Sequence, residues 1–396
     1  MFFRSLYAMI AFLLSFSVSA QEHTLPPLPQ PLSLEQALAL SANHPAIQLA
    51  ESGLAVVEAD AAKVLADSGL KISAQAYLTA IEPTDITPDR SNNDSKAFLR
   101  ARKKLYDFGY TEARESAAQN AVKSQQWQLL SERQKHQLDV VEKFFEVLVS
   151  DKNYVLKDEE MTLAFLKYDK AKDFNELGTL SDIELLRLEN IYRERLQLRR
   201  VAEQQQRLSR LKLAAALGRP DDLPADLTMP EVDWKKPLPD IETVIEKSLM
   251  NNPELRTSRD AVLAAKEKLT AAQSSQNLTI HGEMQLAKYN RETGTSHPAS
   301  AGLVFELPLY TGGASQAEAA RARAVLLEQQ ALLQMTELSI RQAAVELVMQ
   351  LETLRADIEA QQVSADYSEL YLDKNRDFYE LEVCLLYTSP SPLYLN

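Results

Sequence analysis

The chain of 396 residues holds one cysteine, Cys384, so no internal disulfide can brace it. Glycine is sparse at ten residues and aromatics make up 7%, a poor composition for an all-β barrel and a good one for long helices. A basic surplus is also missing. Lys and Arg number 43 against 56 Asp and Glu, a formal net charge of -13, and without a concentrated basic patch phosphates are not neutralised, which excludes nucleic acid as a partner. After the first 20 residues no apolar run approaches the roughly 20 residues that span a bilayer as a helix, so any membrane insertion must use β-strands. The histidines His23, His44, His136, His281 and His297 are scattered, and no H-E-x-x-H, Gly-rich phosphate loop or nucleophile elbow is present. No catalytic, metal or cofactor site is therefore expected.

What is present begins with an export signal. Over residues 1–20, Arg4 supplies a positive start, Leu6 to Phe16 an apolar stretch and Val18-Ser19-Ala20 a small-residue cleavage site, leaving Gln21 as the first mature residue. A Pro-rich segment, 21–32, follows.

The chain then repeats itself. Asn43-His44-Pro45 falls on Asn251-Asn252-Pro253, and the alignment continues without a gap to Leu78 on Leu286. After a shift change of four residues, Leu105-Tyr106-Asp107-Phe108-Gly109 meets Leu309-Tyr310-Thr311-Gly312-Gly313, and Asp173-Phe174-Asn175-Glu176-Leu177 meets Asp377-Phe378-Tyr379-Glu380-Leu381. Ordered Pro, Gly and aromatic landmarks are more than shared helical periodicity supplies. The first repeat spans 33–220, a linker 221–240 and the second repeat 241–382.

Each repeat reads as the same elements. A helix starts behind Ser33, with Gln36 as its capping-box partner, and a second helix opens at Pro45 or Pro253, where no N–H is required. Leu70, Ile72, Ala74, Ala76 and Leu78 then alternate with polar residues, as do Leu99, Ala101 and Leu105 with Arg100, Arg102 and Lys104 over Phe98 to Tyr106. A loop rich in Pro, Asp, Asn and Ser, Glu82 to Ser95, separates them. The second repeat gives Leu278 to Leu286, a loop near Asn290 to His297, and Ala301 to Leu309. Lys103 interrupts the apolar row and belongs near a membrane edge, where its cost is small.

Between Gly109 and Gly178 there is neither Gly nor Pro, which allows one helix on the order of 100 Å long. Leu138, Val141, Phe145 and Leu148, and later Leu347, Leu351, Leu354 and Ile358, recur at threes and fours as coiled-coil seams. Gly178 ends the outgoing helix. Ser181 or Asp182 starts a return helix through Leu198, Val201, Leu208 and Leu211 to Gly218-Arg219-Pro220.

Four strands cannot close a barrel, and an open edge in lipid is costly, so closure needs several copies. Three copies give twelve strands and a water-filled interior, lined by the polar faces carrying Arg100, Arg102, Lys104, Glu283 and Glu306.

This doubled helix-strand-strand-helix plan, with its Asn-x-Pro segments, Leu-Tyr-x-x-Gly junctions and the Gly178-Thr179-x-Ser181-Asp182 turn, resembles the TolC outer-membrane efflux family over residues 33 to 382. The resemblance implies a fold that is mainly α with a small β part, a long coiled-coil barrel plus four transmembrane strands per chain. It implies a homotrimer in outer-membrane lipid with a periplasmic extension, serving efflux or type I secretion with a periplasmic adaptor and an inner-membrane transporter. It places residues 174 to 182 and 377 to 382 at the periplasmic tip, with Asp173, Glu176, Gly178, Thr179, Ser181, Asp182, Asp377 and Glu380 as gate candidates. Asp173, Glu176 and Asp182 equally fit the role of solvated helix-end residues.

One segment departs from that plan. By symmetry a return helix of about 40 residues should follow residue 382, whereas 383–396, Cys384 to Asn396 with Pro390 and Pro392, shows no helical pattern and reads as an aberrant tail. A tight channel is not expected from the chain as written. The rival reading is a periplasmic coiled-coil adaptor or scaffold, which the heptads fit and the four amphipathic strands do not. The cargo is not legible in the sequence.

Overall fold

The computed structural model describes residues 28–83, 89–291 and 296–388, with side chains described as far as 374. The expected signal and cleavage site, His23, part of the first strand loop and the last eight residues lie outside the described residues. Packing divides the chain into two units that cut across the sequence repeats. One comprises the described residues up to Ala42 with Gln137–Pro230, the other Asn43–His136 with the described residues from Glu231 onward.

In the first unit, α1 (Leu34–Leu40) has the expected capping box, Ser33 Oγ accepting from Gln36 N at 3.2 Å and Gln36 Oε1 from Ser33 N at 3.0 Å. Most of α3 (Tyr110–Glu176, which begins in the other unit) and all of α4 (Asp182–Ala216) belong here. The 67-residue α3 is unbroken, about 100 Å at 1.5 Å per residue. Its core is Val140, Phe144 and Val147, buried against Leu28, Leu32, Ala37, Leu213 and Leu217. Leu32 also pairs with the segment after α4, donating to Asp226 O at 2.8 Å while its own carbonyl accepts from Thr228 N at 2.9 Å. The described end of the Pro-rich segment, residues 28–32, and the start of the 221–240 linker are therefore packed backbone, not spacers; residues 21–27 lie outside the described residues. Polar pairs also join α3 to α4: Arg210 grips Asp151 with two bonds of 2.6 and 3.0 Å, Ser150 meets Ser209 at 2.6 Å, and Lys212 reaches Glu146 at 2.6 Å.

The expected seams are corrected here. Leu138 is 68% exposed and Val141 and Phe145 are half-buried; of the expected seam Leu148 packs against the core, whose fully buried stripe runs one residue away through Val140, Phe144 and Val147. In α4 the apolar residues named along the return helix, Leu198, Val201, Leu208 and Leu211, are exposed while Ala202, Ser209 and Leu213 are buried. Two adjacent stripes recur at threes and fours on these helices, so spacing cannot choose between them. Contact with the rest of the unit does.

The second unit holds α2 (Pro45–Ser68), β1 (Lys71–Tyr77), β2 (Lys96–Tyr106), α5 (Ile241–Asn251), α6 (Pro253–Ser274), β3 (Thr279–Tyr289), β4 (Ala299–Glu306) and α7 (Ala314–Thr388). Pro45 and Pro253 each open a helix, behind caps from His44 and Asn252. Both α5 and α6 pack on α7, which buries Ile340, Ala344 and Val348 and leaves the expected seam Leu347, Leu351, Leu354 and Ile358 exposed. The aberrant-tail boundary also moves: α7 continues to Thr388, because no helix breaker precedes Pro390. No described helix is long and apolar enough to cross a membrane.

The four strands form one antiparallel sheet in the order β1-β2-β3-β4. Its register places Ile72, Ala101, Met284 and Ala301 in one row and Ala74, Leu99, Leu286 and Ala299 in the next, as the alternation requires. One departure occurs. A bulge between Lys104 and Tyr106 pairs Tyr106 with Ile280, so Tyr106 joins the apolar row that simple alternation assigned to Leu105 alone. Gly282 makes room there, since a Cβ on it would meet Leu105 Cδ1 at 3.3 Å.

Candidate functional site

The sheet has two faces of opposite character. Ile72, Leu99, Met284, Leu286, Leu303 and Phe305 share one face and are all exposed in the single chain. Water does not hold such a surface open cheaply, at roughly 25 cal/mol per Å² of apolar area. Lys103, in the row of Gly282 and Leu303, stands one row from the end row of Tyr106, Ile280 and Phe305. Tyr106 meets Phe108 edge-on at 4.7 Å, and Tyr310 just beyond β4 is exposed, so aromatics gather where the strands give way to helices.

The other face carries the charges. Arg102 on β2 binds Glu283 on β3 at 3.1 Å and Glu306 on β4 at 3.6 Å, tying three strands through one guanidinium. Arg100 instead donates to Gln285 Oε1 at 3.1 Å. Lys104 is withdrawn from this group, reaching Asp107 at 3.2 Å and Thr111 Oγ1 at 3.2 Å where β2 turns into α3. Of the five residues expected on the polar face, the structure thus unites Arg102, Glu283 and Glu306. His281, 3.8 Å from Glu306, was missed, although its period-two relation to Glu283 signals it. Lys96 and Phe98 share the face too; Lys96 was missed because β2 starts two residues before the expected Phe98, and Phe98 because an apolar ring on the charged face breaks the alternation.

Both strand-to-helix junctions are built alike. At the first, Phe108 and Gly109 have φ of 53° and 92°, and at the second Gly312 and Gly313 have 65° and 86°. These left-handed pairs reverse the chain, which is why glycine recurs there. Asp107 is buried and accepts from Thr111 N and Oγ1. Its burial pushes its pKa up, but those bonds together with Lys104 outweigh it and hold the carboxyl below its ordinary value.

The α3–α4 turn belongs to the first unit. Gly178 has φ of 75°, and the Phe174 carbonyl accepts from Thr179 N at 2.9 Å, Thr179 Oγ1 at 2.8 Å and Leu180 N at 3.2 Å. Asn175, not singled out from sequence, clamps the turn by donating from Nδ2 to Leu180 O and Asp182 Oδ1, both at 2.9 Å. Ser181 caps α4 by accepting from Glu184 N at 3.3 Å. Gly178, Thr179, Ser181 and Asp182 therefore shape the turn, while Asp173 and Glu176 stand exposed beside it. Asp377 and Glu380 fall on α7 in the other unit, and their side chains lie outside the described residues.

A helical hairpin and an amphipathic four-stranded sheet carried by one doubled chain narrow the comparison sharply, and residues 244–380 match the family model of the outer membrane efflux protein. This stretch is similar to the outer membrane efflux proteins. Solved structures of the same fold extend the likeness beyond that stretch. A membrane protein from Pseudomonas aeruginosa superposes with a TM-score of 0.72 at 17% identity, covering 88% of this chain and 83% of that one. The Campylobacter jejuni CmeC outer membrane channel gives 0.73 at 15% identity, covering 92% and 82%. The outer membrane protein VceC of Vibrio cholerae gives 0.71 at 14% identity, covering 88% and 85%. No curated protein sequence is significantly similar to the chain. The family match falls within the second repeat, and the fold shared with the solved structures takes in the first repeat as well.

Proposed function

We propose that the chain is one subunit of a passive trimeric exit duct of the outer membrane, receiving solutes from an inner-membrane transporter through a periplasmic adaptor. The observation that carries this reading is the sheet: an exposed apolar face, a charged opposite face and two strand edges, β1 and β4, with no partner among the described residues. In lipid both edges must pair, and three copies supply twelve strands in a closed ring. The dimensions agree. Eleven-residue β2 and β3, at about 3.3 Å per residue and tilted by roughly 40°, rise about 28 Å, against an apolar band of about 25 Å in outer-membrane barrels. Arg100, Arg102, Lys104, Glu283 and Glu306 then face water, and the α3–α4 turn, with Asp173, Glu176 and Asp182, lies at the periplasmic end. Outer-membrane fractionation followed by unheated and heated gels tests this. A heat-dissociated trimer in the outer membrane supports the duct, whereas a soluble or inner-membrane protein returns the reading to a periplasmic coiled-coil scaffold.

A further inference from the structure

The charge on the water-facing side of the sheet is unevenly spread along the strands. Toward the helices, Lys71 pairs with Asp67 at 3.1 Å, Arg102 with Glu283 and Glu306, and Lys104 with Asp107, so every cation has a carboxylate. Toward the loops this balance stops. Lys96 and Arg100 lie on the same face by register, and neither has a carboxylate partner among the described residues; the bond Arg100 makes goes to the neutral Gln285. The loop carboxylate Asp94, whose N–H donates to Thr79 O at 2.8 Å, forms an ion pair with neither of them.

Rings fill the space between these two cations. Phe98 sits between Lys96 and Arg100 on the same face, with Tyr77 edge-on at 5.9 Å on one side and Tyr289 edge-on at 5.8 Å on the other. A three-strand aromatic row facing water, rather than the apolar side, is not explained by membrane anchoring. The loops at this end are fixed to each other, Asn290 Nδ2 donating to Asn93 O at 3.0 Å and Arg291 to Asp89 O at 2.6 Å, which supports the row from outside.

We infer that Lys96, Phe98, Arg100, Tyr77 and Tyr289 form a collar that selects anions, and aromatic carboxylates in particular, at the loop end of the duct. This rests on the barrel reading above. In a threefold ring the collar presents Lys96 and Arg100 three times with no compensating carboxylate among the described residues, inside a low-dielectric wall that concentrates counter-ions. The ring edges and faces give a planar apolar group a surface beside the charge. The overall acidity of the chain, -13, does not predict this, because it is the local sign that an ion meets.

The test is the purified trimer in a planar lipid bilayer under a KCl gradient, followed by addition of benzoate or acetate. Expected are a reversal potential of the sign for chloride over potassium and a stronger reduction of chloride current by benzoate than by acetate. Lys96→Gln with Arg100→Gln should lower the chloride preference several-fold, Arg100→Lys should retain it, and Phe98→Leu should remove the benzoate excess alone. Discrete pores that prefer potassium, or a preference unchanged in the double variant with its trimer intact, overturn the collar and leave the duct standing. A trimer with no pores at all overturns both.

Discussion

Asp107 holds the first turn of α3 by accepting from Thr111 N through both carboxylate oxygens, at 3.1 and 3.0 Å. The second repeat answers with a weaker version, Thr311 Oγ1 accepting from Ser315 N at 3.5 Å. A charged acceptor replaced by a hydroxyl at the same turn makes the first junction the stiffer of the two.

Asp107→Ala should therefore cost about 1–2 kcal/mol of stability, measured by denaturant titration. The pH dependence has a definite sign. Its pKa is lowered in the folded protein from 3.8, so its contribution is complete above that value and is lost as pH falls through the lower folded value. Asp107→Asn should flatten this part of the acid limb, and an unchanged limb in the variant would contradict the assignment.

Phe144→Ala removes a fully buried ring from the first unit's core and should cost about 3–5 kcal/mol. Leu138→Ala and Leu351→Ala touch the exposed stripes; they should leave far-UV circular dichroism unchanged and reduce the trimer band on unheated gels. Equal loss of fold in all three variants would show that the stripes are not separate.

Gly178→Ala meets no neighbouring atom within 4 Å, so its cost is the left-handed backbone at φ of 75° alone, about 1–2 kcal/mol. Asn175→Ala removes two clamping bonds and should increase limited proteolysis between residues 175 and 182. If this turn lies at the gate, the same variant also raises resting conductance.

Arg102→Gln breaks ion pairs whose partners are partly exposed (Glu283) or well exposed (Glu306), and such solvent-screened pairs stabilise by about 0–1 kcal/mol. Melting should hardly change. Altered single-channel conductance with unchanged melting would separate a water-facing role from a structural one, and a large fall in melting temperature would favour the structural one.

The sequence by itself determined the element types, their breaks and their doubling. Ser33-x-x-Gln36, Pro45, Pro253, Gly178 and the Gly109 and Gly313 junctions act within a few residues, through capping, ring constraint and left-handed φ, so their effects are local and readable. The alternation in the strands was equally legible, because a strand has only two faces. Tertiary structure decided which of two neighbouring helical stripes became core, choosing Val140, Phe144 and Val147 over Leu138, Val141 and Phe145. It also decided the bulge that moved Tyr106 across the sheet and the partners of Arg102, and it left Lys96 and Arg100 without a carboxylate among the described residues. Those outcomes depend on packing and register between segments up to two hundred residues apart, and periodicity within one segment carries no information about what will lie against it.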